Sequence, residues 1–325
     1  MHMYEKFLKR ISWKKDIKEL LLLVCEDFGL GQYKNHSVIT VGYEDLNIVL
    51  ETNSGSYFVK ALANFRDDSG RQRYLQIMNR VNEAGVNHPK LFKSEQGYLH
   101  KVDSKDGSVY LFVMQYVDGK TYFDLKVKPN KDEIKVLAHN AALINKIDLK
   151  PKYVYDSWAV VNFVKEYGRA KSHMDEKDIN LIEPVLDKFK KLNLESLPKS
   201  FVHGDIINTN VIKGRDGKIW IIDFSVSNYY PRIQEMAVLA CDLLSDFSKP
   251  GLFESNLKLA LDEYQKELPL TDTEMDNLPL YINAAHAMHI IGSTNSAVKE
   301  GDFEENQHWM NKGRKGLEYT SNIWK

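Results

Sequence analysis

Cysteine is almost absent from this sequence: Cys25 and Cys241 are the two in 325 residues. Each lies in an apolar stretch, Leu20–Cys25 and Met236–Leu244, which reads as two buried free thiols. No pair or cluster has zinc-ligand spacing, so neither a disulfide scaffold nor a zinc module is expected. An excess of charge of one sign is missing too. Lys and Arg number 44 against 45 Asp and Glu, a formal net charge of −1. The basic residues are spread along the chain, without the electrostatic footprint of a nucleic-acid binder. The N-terminus is polar and Lys-rich, unlike a signal peptide. Its longest wholly apolar run, Leu20–Cys25, is far too short to span a bilayer. No G-x-x-x-x-G-K-[ST] run occurs, which argues against a P-loop protein. The expectation is a soluble cytoplasmic chain with no nucleic-acid partner and no membrane contact.

The chain is too long for one ordinary compact unit, so two lobes are expected. Ser12–Phe28 places Ile17, Leu20, Leu21, Val24 and Phe28 at helical spacing, closed by Gly29 and Gly31. Ser37–Val41, Leu46–Thr52 and Tyr57–Leu62 read as strands, the last two forming a hairpin that turns at Asn53–Ser56. A helix over about Ser69–Ala84 precedes Gly85 and Pro89. Further strand candidates follow at Lys90–Lys93, Tyr98–Val102 and Val109–Val117. From Lys131 onward the pattern is helical over Glu133–Ile147, Trp158–Ser172, Ile179–Leu192, Gln234–Ser245, Leu257–Leu268 and Leu278–Val298. One β island, Ser200–Phe224, interrupts it. The fold class is α+β: a β-rich N-terminal lobe over residues 1–117, with a leading helix at about 12–28, then a mostly helical lobe over 118–325.

The island carries the chemistry. It reads His203-Gly204-Asp205-x4-Asn210, then a glycine-containing turn, then Ile221-Ile222-Asp223-Phe224. Two apolar strands thus deliver Asp205, Asn210 and Asp223 at their ends. Phosphoryl transfer needs such a set: a carboxylate to orient a hydroxyl and accept its proton, and oxygen ligands for Mg2+.

These residues resemble the signature of the aminoglycoside phosphotransferase and choline kinase superfamily, whose protein-kinase relatives share the Asp-x4-Asn spacing. The resemblance implies a bilobal protein-kinase-like fold and an ATP- and Mg2+-dependent phosphotransferase acting on a small-molecule hydroxyl. It implies Asp205 as base, with Asn210 and Asp223 as metal ligands. Ser225 stands where protein kinases have glycine after Asp-Phe. Lys60, on the strand Tyr57–Leu62, becomes the candidate for the α- and β-phosphates. The loop Val41–Asn47, with the single glycine Gly42, would cover the phosphates. Phe112–Gly119 resembles the hinge between lobes, implying adenine contacts from Gln115 and Val117 with Met114 behind them.

Two departures stand out. The helix after Lys60 has Glu83 as its single acid, at its far end, so the usual Lys–Glu pair has no obvious partner; Gln72, Gln76 or an acid from elsewhere would have to serve. After Asp223, Glu235 takes roughly the acidic position of an Asp-Pro-x-x-Asp-Leu-Ala segment. The missing helix acid motivates an alternative, a nucleotide-binding protein without turnover, although such a module has no need of Asp205. A protein kinase is disfavoured by the lack of His-Arg-Asp and of an Ala-Pro-Glu segment. For the acceptor, Asp242, Asp246, Asp262 and Glu263 are available, as are Trp158, Tyr229, Tyr281 and Trp309. Surface acids and packed aromatics are the commoner explanation of each. His286 and His289 are expected as packed residues rather than ligands. An amino alcohol, sugar or homoserine-like metabolite is preferred over an aminoglycoside.

Overall fold

A computed structural model describes residues 8–39, 45–105, 107–249, 251–301 and 304–324. The chain forms two compact units, Met1–Asn82 with His88–Gly119, and Glu83–Asn87 with Lys120–Lys325.

In the first unit, helix α1 (Ile17–Asp27) starts where the Asp16 side chain accepts the Lys18 N–H, and buries Ile17, Leu20, Leu21 and Val24. Gly29, at φ 62°, turns the chain out of it. Strands β1 (Tyr33–Ile39), β2 (Leu46–Thr52) and β3 (Ser56–Ala61) follow, then helix α2 (Asp68–Glu83), then β4 (His100–Ser104) and β5 (Gly107–Gln115). The five strands form one antiparallel sheet ordered β1-β2-β3-β5-β4. Period-two alternation sends Leu46, Ile48 and Leu50 inward from β2, where with Val59, Leu111 and Val113 they share a core with α1. Each such side chain contributes about 1.5–3 kcal/mol by leaving water. The stretch Lys90–Lys93, expected as a strand, makes a single bridge from Leu91 to Met114. Pro89 before it has no N–H to extend a ladder.

Strand β6 (Gly119–Thr121) comes next, followed in the second unit by helices α3 (Tyr122–Leu125), α4 (Lys131–Asn145), α5 (Phe163–Ala170) and α6 (Glu176–Lys190). Strands β7 (Lys199–Val202), β8 (Val211–Gly214), β9 (Ile219–Ile221) and β10 (Asn228–Pro231) make up the island, as a sheet β6-β8-β9 and a pair β10-β7. Helix α7 (Ile233–Leu239) runs into a π-turn, Ala240–Leu244. Helices α8 (Leu252–Glu267), α9 (Asp272–Glu300) and α10 (Glu304–Ile323) complete the unit. A capping box, Thr271 with Glu274, starts α9 six residues before the apolar pattern at Leu278 would place it. Buried Tyr281, Ile282, Met288 and Ile291 make α9 the centre of the helical packing. Among the described residues no helix is long and apolar enough to cross a membrane.

Candidate active site

In the second unit, β7 delivers His203 fully buried, followed by Gly204 at φ 80° and then Asp205. Only a residue without Cβ takes that backbone cheaply. Two hydrogen bonds fix the turn: the His203 and Gly204 N–H groups donate to the two carboxylate oxygens of Glu235 on α7, at 2.6 and 3.1 Å. Asn145 Nδ2 also donates to Glu235, at 3.3 Å, and Tyr264 Oη donates to Asn145 at 2.7 Å. Burial pushes the Glu235 carboxyl up to about 7, against the pull of those donors.

The His203 ring works in both directions. Its Nε2–H donates to the Ile222 carbonyl at 3.0 Å, while Nδ1 accepts the Asp205 N–H at 3.2 Å, an assignment that follows from the partners. Burial lowers its pKa to about 4, so the ring stays neutral and ties the start of one loop to the end of β9.

Asn210 Nδ2 donates to the Asp205 carboxylate at 2.6 Å and to its carbonyl at 3.0 Å. With Nδ2 turned to Asp205, the amide oxygen of Asn210 is the atom left for a cation. The Ile222 N–H donates to the Asn210 carbonyl at 3.0 Å, which brings the start of β8 beside the end of β9. Asp223 comes next and is held at φ 63°, a left-handed conformation that few residues with a side chain adopt. Its carboxylate accepts the Ser225 N–H at 3.3 Å. The structure therefore brings Asp205, Asn210 and Asp223 into one cluster.

The electrostatics are those of crowded carboxylates. Burial, then the negative charges of Asp156 and Asp223, push the Asp205 carboxyl up to about 8. Asp156, which the sequence did not single out, is itself pushed up to about 6 by burial although it accepts the Trp158 N–H at 2.8 Å. Deeper in, the Asp242 carboxylate accepts the Asn208 N–H at 2.9 Å, pinning the middle of the loop, and pairs with Lys312. The other acids named as acceptor candidates are local: Asp262 and Glu263 pair with Lys258 and Lys266 on α8, and Asp246 accepts the Ser248 N–H.

In the first unit, Lys60 on β3 is 6% exposed and its Nζ lies 3.5 Å from the Asp45 carboxylate. Asp45 stands immediately ahead of β2 and also accepts from Arg66 Nε at 2.9 Å and from the Ala63 N–H at 3.0 Å. Burial opposes its charge, but Lys60 and Arg66 outweigh that and hold the carboxyl below the usual range. Asp45, immediately ahead of β2, is thus an acid beside Lys60. The register Asn47↔Lys60 gives the geometric reason: two residues before Asn47, the chain lies next to the lysine. Asp45→Asn leaves two cations sharing a neutral partner and is expected to lower the melting temperature and weaken nucleotide binding about tenfold, as charge-assisted hydrogen bonds of about 1.5–3 kcal/mol are lost. Thermal shift with and without Mg·ATP reads both, and an unchanged ATP-dependent shift would remove Asp45 from nucleotide binding.

Met114 is buried on β5, opposite Phe58, and Gln115 donates its N–H to the Lys90 carbonyl at 2.8 Å. Val117 lies two residues beyond the end of β5. Gly42 lies outside the described residues.

The model of the phosphotransferase enzyme family matches residues 36–268 of the chain. Among solved structures, an amicoumacin kinase in complex with AMP-PNP, Ca2+ and Ami is similar at 15% identity and TM-score 0.67, over 98% of this chain and 96% of that one. A microcompartment-associated aminopropanol kinase is similar at 11% identity and TM-score 0.67, over 94% and 97%. The choline kinase LicA from Streptococcus pneumoniae is similar at 13% identity and TM-score 0.61, over 94% and 100%. At these identities the structures establish the fold, which is kinase-like: a β-rich N-terminal unit and a helical C-terminal one.

Proposed function

Because the chain belongs to the phosphotransferase enzyme family, in the aminoglycoside phosphotransferase and choline kinase superfamily, we propose that it moves the γ-phosphate of ATP to a hydroxyl of a small molecule. The observation that carries this reading is the Asp205–Asn210–Asp223 cluster, with the Asp205 carboxylate held 2.6 Å from Asn210 Nδ2. Asp205 orients the acceptor hydroxyl and takes its proton as the P–O bond forms. The donor set fits Mg2+, which prefers oxygen: the Asn210 amide oxygen and the Asp223 carboxylate would hold it, among acids that repel one another without a cation. When bound, that ion neutralises charge on the phosphates. Lys60, steadied by Asp45, meets the α- and β-phosphates. Gln115, Val117 and Met114 hold the adenine.

The amicoumacin, aminopropanol and choline kinases among similar structures direct the search to acceptors that carry a hydroxyl. Asp156, buried beside Asp205, favours an acceptor with an amine close to that hydroxyl. The reading of a nucleotide binder without turnover was motivated by the lack of an acid for Lys60, and Asp45 supplies one. The deciding experiment is ADP release from Mg·ATP against amino alcohols, hydroxy-amino acids, sugars and aminoglycosides. Acceptor-dependent release supports the proposal; nucleotide binding with no release across the panel favours the binder.

A further inference from the structure

Cys241, His286 and His289 meet inside the second unit, although 45 and 48 residues separate the cysteine from the two histidines. Cys241 Sγ lies 3.2 Å from His286 Nδ1 and 3.8 Å from His289 Nδ1. One ligand atom from each residue lies within 4.8 Å of the other two. Around an ion bonded at about 2.3 Å to sulfur and about 2.0 Å to nitrogen, S···N separations come to roughly 3.5–3.8 Å, close to those seen.

Three further features separate this cluster from ordinary packing. Cys241 is 1% exposed, His286 0% and His289 9%, and His286 Nε2 is buried with no hydrogen-bond partner among the described residues. Helix α10 presses on the rings through two glycines: a Cβ on Gly316 would come 2.2 Å from His286 Nδ1, and one on Gly313 2.8 Å from His289 Cβ. The ring pair is therefore clamped, as ligands must be. Cys241 itself sits in the π-turn, a rare geometry that often marks function.

We propose that Cys241, His286 and His289 are the three ligands of a site for a thiolate-seeking closed-shell ion, Zn2+ or Cu+. Binding breaks the Cys241 S–H bond, forms the metal–sulfur bond and releases one proton to the buffer. The ligand set carries one negative charge, which Cu+ neutralises and Zn2+ leaves singly positive; soft thiolate favours both over Mg2+. The site stands one residue from Asp242, whose carboxylate holds the Asn208 N–H, and is separate from the oxygen cluster at Asn210 and Asp223.

The test loads chelator-stripped full-length protein with Co2+ as a Zn2+ probe and, anaerobically, with Cu+ against a chromophoric competitor. The expected result is one ion per chain, a thiolate-to-Co2+ charge-transfer band, and displacement of Co2+ by Zn2+ or uptake of Cu+ from the competitor. Cys241→Ser loses the band and Cys25→Ser keeps it. Should Cys241→Ser not fold, X-ray absorption of loaded wild-type protein decides, with one sulfur and two nitrogens expected. Failure to bind either ion, a band undiminished in Cys241→Ser, or a ligand shell without sulfur overturns the proposal.

Discussion

Asp205→Asn is expected to cut turnover by about 10²–10⁴-fold, the usual worth of a positioned proton acceptor, while leaving the protein folded. The amide has the shape of the carboxyl and still offers an oxygen to Asn210 Nδ2. It cannot take a proton from the acceptor hydroxyl. The stability side has the opposite sign. Asp205 has its carboxyl raised to about 8 by burial and by Asp156 and Asp223, so any favourable contribution is present at low pH and lost as pH rises through that value. At neutral pH and without a cation the residue costs stability, and its neutral replacement is expected to melt at an equal or higher temperature. ADP release on the best acceptor and a melting curve without Mg2+ check both halves. Turnover like that of the wild type would remove Asp205 as the base. A fall in activity with a collapsed melting transition would mean that the residue is structural.

The largest loss of stability is expected from Asp242→Asn. Asp242 is fully buried between Lys312, which pairs with its carboxylate, and Lys128, whose Nζ donates to its carbonyl at 2.8 Å. Removing the charge leaves two cations in a site that holds one anion, and broken buried pairs of this kind cost about 3–5 kcal/mol. Lys312→Met in the same chain removes one of those cations and is expected to restore much of the loss. The double-mutant cycle in denaturant therefore carries the argument. A single-mutant cost near the ~1 kcal/mol of an exposed pair would show that water reaches the site. The Asn208 N–H is the second readout: a looser segment between Asp205 and Asn210 is expected to lower turnover by more than global stability accounts for.

The strands and the β island were legible because their signals are local. Alternation in Leu46–Thr52 and the turn at Asn53–Ser56 sit within a few residues of one another, and so do Asp205 and Asn210. What stayed hidden depends on contacts between distant segments. Helix α10 has few large apolar residues to announce it: besides buried Trp309 and Leu317 it docks through Gly313 and Gly316, and through Lys312 and Arg314 paired with Asp242 and Asp178. Periodicity counts large apolar side chains, so a helix packed through glycine and charge escapes it. Asp45 escaped for a related reason. The partner was expected from Gln72, Gln76 or an unnamed acid elsewhere, whereas the β2–β3 register brings Asp45, just ahead of β2, to Lys60. Glu235 was visible as an acid in roughly the right place, but its grip on the His203 and Gly204 amides exists only once α7 packs behind β7.

As a proposed metal ligand, Asp223 is expected to set stability and activity at odds. Its φ of 63° costs an ordinary side chain roughly 1–2 kcal/mol, and glycine would occupy the same backbone without that cost. Selection for heat resistance alone is therefore expected to drift towards glycine at position 223 and yield a more durable protein that no longer transfers phosphate. Parallel libraries, one screened for melting temperature and one for turnover, would expose the split. Equal retention of Asp223 in both would mean that its contacts outweigh the strain.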